Sequence, residues 1–433
     1  MERTNKVIRG REMAALLTVG LLAGAGCAGD TLTKEEMTAL ATMQLKALPP
    51  SPTNSYADSA AAAELGHQFF FDTRFSGPLR ESSDPTTGGL GSAGTVGKVG
   101  CISCHDPAHG GADVRSRAAT SVASGWTGRN APTVINAVFS PWQFWDGRKD
   151  SLWSQALGPL ESDAEHNFSR LEVAHLISDK YRDSYEKVFG EMPPLADTTR
   201  FPASGRPGMD TFTGMSSDDQ QAVNRVFANF GKAIEAYERQ LVDRSSALDR
   251  YVKGDLLAFN DSAVRGAKLF IGRAACNECH SGATMSDGKF HNHGVPQAGI
   301  KVPQTDNGRM DGIAKFMADP FNGMGPYSDG TVPVAEQTLH AMDTDLGAFK
   351  TPTLRNVSKT GPYMHTGAFA NLWDVVSWYN QAAGGEGFVG KRESASAFPL
   401  RLSNEEITDL VEFLKALQGD PLPADLVSMP RMP

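Results

Sequence analysis

The feature that most constrains this chain of 433 residues is a five-residue motif, Cys-x-x-Cys-His, that occurs twice. The two copies are Cys101-Ile-Ser-Cys104-His105 and Cys276-Asn-Glu-Cys279-His280. In each copy the two thiols stand one helical turn apart, where they can form thioethers with both vinyl groups of one haem, and the next residue can bind its iron. The motifs therefore predict two covalently attached c-type haems, with His105 and His280 as the proximal iron ligands.

Paired cysteines also occur in structural zinc sites and in thioredoxin-like redox sites. A structural zinc site needs four ligands, and a redox site needs no histidine after the pair. Two such motifs in a chain with an export signal favour haem. The fifth cysteine, Cys27, has a different use, described next, so no thiol is left over and we expect no disulfide.

The first 26 residues have the order of a bacterial export signal. Four basic residues precede an apolar run over residues 13–22, and small residues then lead into Cys27. The run is shorter than the roughly 20 residues that span a membrane. The segment resembles a lipoprotein signal peptide over residues 1–26, with Cys27 as the lipid-modified N-terminus. Ordinary cleavage nearby and a retained helix are the alternatives.

Location and charge limit the partners of the chain. Ala28 after the cysteine fits outer-membrane sorting, so we expect a periplasmic-side lipoprotein that touches the membrane only through its N-terminal lipid. The net charge is −9, and loss of residues 1–26, with four basic and two acidic side chains, makes it −11. No general basic face remains, and we expect no nucleic-acid partner.

The rest of the chain reads as mainly helical and internally duplicated. Residues 27–63 are rich in Thr, Ala, Pro and Ser, which predicts a flexible tether. Over 64–215, Gly and Pro residues separate short predicted helices. A long predicted helix over 216–251, capped at Ser216 or Ser217, connects the halves. The second half, 252–433, ends in an amphipathic helix over 404–417.

Five further segments carry a family resemblance that covers most of the chain after the signal. They are LGHQFFFDTRFS at 65–76, RNAPT at 129–133, FWDGR at 144–148, KTPTLRN at 350–356 and PYMHTG at 362–367. The chain resembles the bacterial dihaem cytochrome c peroxidase and MauG family. The resemblance implies a mainly α fold of two cytochrome c-like domains, each with one covalent haem. The N-terminal domain, 64–215, would meet peroxide, and the C-terminal domain, 252–433, would take in electrons.

The resemblance also implies a peroxide pocket at the N-terminal haem. Gln155, Pro159 and Glu165 match the family's spacing after the FWDGR segment. Glu165 is then the acid/base residue, because O–O cleavage needs a group that accepts a proton from peroxide and returns it to the leaving oxygen. The alternative is a surface glutamate in an acidic turn beside Asp163.

Two further family positions concern the contact between the domains. Trp145 matches the tryptophan that lies between the two haems, although a tryptophan is more often a core residue. Asn130, Thr360 and Pro362 match residues that hold a calcium ion, the last two through their carbonyls. Simple turn chemistry is the alternative for these three residues.

The sequence departs from the ordinary peroxidases at two haem positions. Many family members have a displaceable distal histidine sixteen residues after the first proximal histidine, where this chain has Ser121. The other nearby imidazole, His109, is expected to stay on the proximal side. The N-terminal haem is therefore expected to be five-coordinate and permanently open.

The second departure concerns the C-terminal haem. Fourteen residues after His365, where ordinary peroxidases have a methionine ligand, the chain has Tyr379, and MauG has a tyrosine there. A phenolate ligand stabilises ferric iron and lowers the haem potential. Met364 is the fallback ligand, and a tyrosine that merely packs on a helix over 371–381 is the other alternative.

Three functions follow from these residues. The first is reduction of hydrogen peroxide with electrons from a small cytochrome c or cupredoxin. The second is a MauG-like enzyme that uses peroxide to oxidise residues of a partner protein, and the third is a non-enzymatic dihaem electron carrier. An electron carrier normally needs six-coordinate iron at both haems. The missing distal ligand and the presence of Glu165 therefore count against the carrier.

The Gly- and Pro-rich segment 311–343 is too long for a bare connector, and we expect its deletion to alter donor kinetics but not haem spectra.

Overall fold

Helices make up nearly all the regular secondary structure in this computed structural model, which describes residues 31–81, 88–116, 120–332 and 334–433. The predicted signal peptide and Cys27 lie outside the described residues. The α-helices are α1 Lys34–Ala41, α2 Ala60–Phe71, α3 Leu152–Glu161, α4 Arg170–Lys180, α5 Arg182–Phe189, α6 Asp210–Thr213, α7 Ser217–Glu238, α8 Ala247–Tyr251, α9 Asp261–Ile271, α10 Arg309–Ala318, α11 Val334–Gln337, α12 Leu372–Asn380, α13 Asn404–Lys415 and α14 Ala424–Val427. The mainly helical fold class is confirmed.

Sheet structure is confined, within the described ranges, to one short antiparallel pair. Strand β1, Phe290–His291, pairs with β2, Phe349–Lys350, so that Phe290 faces Lys350 and His291 faces Phe349. No helix in the described ranges has the length and apolar character needed to cross a membrane.

A close helix crossing organises the first half of the chain. Helix α2 begins at its N-cap Ser59 and packs against α7. A Cβ atom on Gly66 would lie 1.8 Å from the Ala233 carbonyl oxygen, so only glycine permits this approach. Apolar side chains of α2, α3, α4 and α7, including Phe69 and Phe230, form the first hydrophobic core around the crossing.

The second half repeats this crossing with α9 and α13. A Cβ atom on Gly266 would lie 1.9 Å from the Asp409 carbonyl oxygen, as at the first crossing. A second hydrophobic core surrounds it and contains Phe270, Leu410 and Phe413. The duplication read from the sequence is thus visible in the helix packing.

The predicted helix boundaries agree with the structure in part. Ser216 caps α7 by accepting a hydrogen bond from the Asp219 amide, and α13 occupies most of the predicted terminal helix. The expected single helix over 216–251 is wrong, because α7 ends at Glu238 and α8 begins at Ala247. Between them Asn136 bonds the Asp243 amide and carbonyl, which takes the backbone out of helical geometry.

The segment predicted as a flexible tether is ordered where the structure describes it. Thr33 and Glu36 form a capping box at the start of α1, and Leu40 and Met43 are fully buried in the second core. Arg355 donates to the Met43 carbonyl, which fixes the end of this segment. The prediction failed because it rested on composition, whereas these contacts join residues more than three hundred positions apart.

The segment over 311–343 also packs on the body. Phe321 and Tyr327 are buried in the first core, and Asp329 pairs with the buried Lys232 at 2.5 Å. The C-terminal residues return to the same core, where the Leu426 carbonyl accepts from the Tyr237 hydroxyl. Deletion of 311–343 is therefore expected to destabilise the fold, and not to change donor kinetics alone.

Candidate functional site: two cavities at the Cys-x-x-Cys-His motifs

The first motif starts with a short 3₁₀ turn, Cys101–Ser103, and the side chains of Cys101 and Cys104 project from one side because residues three apart eclipse in this helix. His105 has its Nδ1 atom 2.9 Å from the Pro132 carbonyl oxygen. Nδ1 therefore carries the proton and donates, and Nε2 keeps its lone pair. This is the arrangement of a histidine that binds a metal through Nε2.

The second motif repeats this geometry. Cys276–Glu278 forms the 3₁₀ turn, and Nδ1 of His280 lies 3.0 Å from the Met285 carbonyl oxygen. Burial lowers the pKa of both motif histidines, which keeps the imidazoles in the neutral form that binds metals.

The thiols have the character of attachment points and not of redox cysteines. All four motif cysteines are unpaired. Burial raises the pKa of Cys104 to about 12 and that of Cys279 to about 11, whereas redox cysteines have a lowered pKa. The thiol pairs, the oriented histidines and the adjoining cavities fit two c-type haems.

The first cavity, which contains His105, has a volume of about 690 Å³, within the usual range of ligand sites. A side recess of about 40 Å³ shares five of its walls. Gln155 and Glu165 line both spaces, and Pro159 lines the recess. Gln155 and Pro159 are one turn apart on α3, and Glu165 follows in the turn after that helix. The structure therefore brings the three predicted peroxide-pocket residues together beside His105.

Glu165 is partly buried and lines both the first cavity and its recess. Its backbone is fixed from both sides, because its amide donates to the Ser162 carbonyl and its carbonyl accepts from the Ser124 amide. Burial raises the pKa of the carboxyl, with Arg148 opposing. A carboxyl group with a raised pKa in a cavity is suited to proton transfer.

Ser121, which stands where many family members have a distal histidine, and the nearby His109 lie apart in the structure. Ser121 lines the first cavity, but its hydroxyl accepts from the Ala131 amide at 3.0 Å. His109 lies outside the cavity walls, is largely exposed, and pairs with Asp106 at 2.7 Å.

The second cavity surrounds His280 and consists of three adjoining spaces of about 60, 190 and 210 Å³. His280 and Tyr379 line all three, and Met364 lines two. Tyr379 lies near the end of α12, and its hydroxyl has no hydrogen-bond partner among the described residues. Burial raises the pKa of this phenol. Tyr379 thus presents a free oxygen to the cavity that contains His280.

Trp145 lies between the two cavities. Its side chain lines the first cavity and two spaces of the second. The indole Nε1 donates to the Asn130 carbonyl at 2.8 Å, and the Trp145 carbonyl accepts from the Lys350 amide at 2.7 Å. The ring centroid is 6.2 Å from that of His365. This tryptophan is therefore fixed by both halves of the chain.

The three expected calcium ligands lie close together at the same contact. The Asn130 side chain reaches the Pro362 carbonyl oxygen at 2.6 Å, and all three residues line one space between the halves. The Thr360 hydroxyl donates to the Val357 carbonyl at 3.2 Å.

Two cavity residues escaped the sequence analysis. His166 and Glu238 line the recess beside His105, and both are nearly fully buried. Glu238 lies in the last turn of α7, and its Oε2 atom has no partner. Burial, together with Glu235, raises its pKa to about 8. An isolated histidine or glutamate has no spacing signal, although the position of His166 directly after Glu165 could have drawn attention to it.

Comparison with known proteins identifies the family. The family model of di-haem cytochrome c peroxidase matches residues 60–256. The cytochrome-c peroxidase IdrP2 of Pseudomonas sp. (strain SCT) is 32% identical over 428 residues, which cover 98% of this chain and 97% of the relative. The MauG protein of Methylophilus methylotrophus is 29% identical and covers 85% of each chain.

Solved structures agree on the fold. The diheme peroxidase BthA of Burkholderia thailandensis matches with a TM-score of 0.60 and 21% identity, over 90% of this chain and 94% of that one. With the full-length similarity to a peroxidase and the match of the family model, these findings lead to one conclusion: the chain belongs to the dihaem cytochrome c peroxidase and MauG family.

Proposed function

We propose that this protein is a dihaem c-type peroxidase that reduces hydrogen peroxide to water in the cavity of His105. The observation that carries the proposal is the convergence of Gln155, Pro159 and Glu165 on that cavity. Family membership supports it, since curated relatives are named cytochrome-c peroxidases. Family membership further implies two c-type haems, which we assign to cytochrome c-like halves over 64–215 and 252–433.

When bound, the haems supply the iron that takes up peroxide and the electrons that its reduction consumes. Overall, one hydrogen peroxide, two electrons and two protons give two waters. Glu165 accepts the proton of one peroxide oxygen and returns it to the other as the O–O bond breaks. Gln155 offers an amide to hold the peroxide in place.

Electrons are proposed to enter on the His280 side from a small periplasmic cytochrome c or cupredoxin. Trp145 supports this route because it lines both cavities and is hydrogen-bonded to both halves.

We propose calcium at Asn130, Thr360 and Pro362, where the Asn130 amide must turn its oxygen toward the ion. This ion would hold the halves together beside Trp145. Chelation should then lower the unfolding temperature, and Asn130→Ala should abolish that response.

A MauG-like activity, in which peroxide takes its two electrons from residues of a partner protein, is the second candidate. Tyr379 favours it, because a free phenol lies where the resemblance puts the second ligand of the His280 haem. A phenolate would stabilise the ferric state of that haem and make electron entry from a small donor less favourable. The non-enzymatic carrier explains neither Glu165 nor Gln155.

The proposed cellular place is the periplasmic side of the outer membrane, with Cys27 acylated. Metabolic labelling with a fatty acid should mark the wild-type chain and leave Cys27→Ser unlabelled. Labelling of both chains, or of neither, would overturn this part of the proposal.

The central experiment is low-temperature electron paramagnetic resonance of the oxidised holoprotein before and after stoichiometric peroxide. We expect one high-spin and one low-spin ferric signal, with the low-spin signal lost in Tyr379→Phe. Peroxide should react with wild type, and Glu165→Gln should slow that reaction by about 100-fold or more. Glu191→Gln, at an exposed position, is the control.

The outcomes separate the candidate functions. Turnover with a small cytochrome or cupredoxin supports the peroxidase, and a persistent oxidised state without turnover supports the MauG-like enzyme. Two low-spin haems that remain inert to peroxide, even after reduction of one, would overturn both and leave the carrier.

A further inference from the structure

His166 lies directly after Glu165 and is 4% exposed. Its ring lines the recess of the first cavity together with Glu165, Gln155 and His105. The backbone holds it in place, because its amide donates to the Pro159 carbonyl at 3.1 Å. A second titratable side chain therefore stands beside the proposed acid/base residue in the same cavity.

The hydrogen bonding of His166 fixes the state of its ring. Nδ1 lies 2.7 Å from the Phe75 carbonyl oxygen, which can only accept. Nδ1 must therefore carry a proton, and Nε2 is left with a lone pair. Nε2 has no hydrogen-bond partner in the described part of the chain. The Nε2 lone pair is therefore available to a ligand in the recess that His166 lines.

The structure assigns His166 a catalytic role: we propose that its Nε2 atom is a second acid/base group of the peroxide cavity. This inference rests on the proposed peroxidase function. This pair replaces the single-residue proton transfer assigned above to Glu165: Nε2 accepts the proton of one peroxide oxygen, while the protonated Glu165 carboxyl donates its proton to the other oxygen as the O–O bond breaks. Proton transfer from His166 back to Glu165 then restores both groups, so the pair neither gains nor loses a proton.

The electrostatics of the recess support this division of labour. Burial lowers the pKa of His166 to about 4, and His105 lowers it further against the Phe75 hydrogen bond. Burial raises the pKa of Glu165. Near neutral pH the imidazole is therefore a neutral acceptor, and the carboxyl is easier to protonate than an ordinary one. Opposite pKa shifts in two neighbouring side chains are typical of an acid and a base with separate roles.

Two variants of the holoprotein test the proposal. His166→Asn keeps an N–H group near the Phe75 carbonyl but removes the acceptor, and His166→Gln retains an amide near the position of Nε2. Both should slow the bimolecular reaction with peroxide by about 100-fold or more. Both should also slow cyanide binding to the ferric protein, since hydrogen cyanide must lose a proton as it binds. Ferric spin states should stay unchanged.

The control is His109→Asn, which alters an exposed imidazole outside the cavity walls and should behave like wild type. If wild type reacts with peroxide and both His166 variants react and bind cyanide within about threefold of it, the inference is wrong and the peroxidase function stands. If wild type does not react with peroxide, the proposed function fails, and cyanide binding still tests His166. Conversion of a low-spin to a high-spin ferric signal in both variants would make His166 an iron ligand and overturn the acid/base role.

Discussion

Pro159 and Tyr379 occupy the same position in two repeated helices. Each is the eighth residue of its helix, and the helices α3 and α12 begin after side-chain N-caps at Ser151 and Asn371. Pro159 lines the recess beside His105, and Tyr379 lines the cavity around His280. Because the proline side chain has no atom that can bind a metal, the repeat places a phenol oxygen at the second cavity and no equivalent group at the matching place in the first.

This equivalence predicts that Pro159→Tyr closes the first cavity. The new phenol would stand where Tyr379 stands in the second half, and it would take the position that peroxide needs. Reaction with peroxide should fall by more than about tenfold, with loss of a high-spin ferric signal. The matched control is Pro159→Phe, which adds the same bulk without the oxygen. If both variants keep the wild-type peroxide rate and spectra, the two positions are not equivalent in function.

Local motifs account for most of the predicted site residues that the structure brings together. Haem attachment sets the Cys-x-x-Cys-His copies over a few residues, the family resemblance supplies the spacing of Gln155, Pro159 and Glu165, and the structure brings these groups together. The repeat is harder to see, because only single residues such as Gly66 and Gly266 mark the two helix crossings.

Long-range contacts explain what the sequence analysis missed. His109 is the nearest other imidazole to His105 along the chain, yet it is exposed, while His166 reaches the cavity through the turn after α3. Composition indicated a tether before residue 64, although Leu40 lies in the second core. The Thr33 capping box was the local signal for a helix there.

The burial of Leu40 predicts a stability cost for a change in this segment. Leu40→Ala should destabilise the holoprotein by about 2–5 kcal/mol, because the cavity left in the second core cannot fully collapse. Urea unfolding followed by far-ultraviolet circular dichroism measures this. Glu35→Gln, exposed on the same helix, is the control and should change little. Equal stability of both variants and wild type would mean that the segment is a tether after all.

The ion pair between Lys232 and Asp329 should anchor the segment after α10. The Lys232 side chain is 1% exposed, and its ammonium also lies 5.6 Å from the Trp153 ring centroid. Asp329→Asn leaves that charge buried without its partner, and we expect a loss of about 3–5 kcal/mol in unfolding free energy. The double variant Lys232→Met/Asp329→Asn should recover part of the loss. A single variant as stable as wild type would contradict a buried, paired ammonium group.

Glu238 predicts a specific dependence of stability on pH. The unfolded carboxyl releases its proton near its ordinary pKa of 4.5, whereas burial raises the pKa in the folded protein to about 8. The folded state therefore binds more protons in this interval, and stability falls as the pH rises through it, by a few kcal/mol in order of magnitude. Because the Oε2 atom has no partner, no bond compensates when the group ionises.

Glu238→Gln removes this titration while keeping the shape of the side chain. Urea unfolding of the holoprotein at pH 6 and pH 8.5 should show a smaller loss of stability in the variant than in wild type. The exposed Glu64→Gln on α2 should keep the wild-type difference. Were wild type and Glu238→Gln to lose the same free energy between the two pH values, the carboxyl would have to be ionised throughout, and a partner at Oε2 in the loaded cavity would be required to stabilise it.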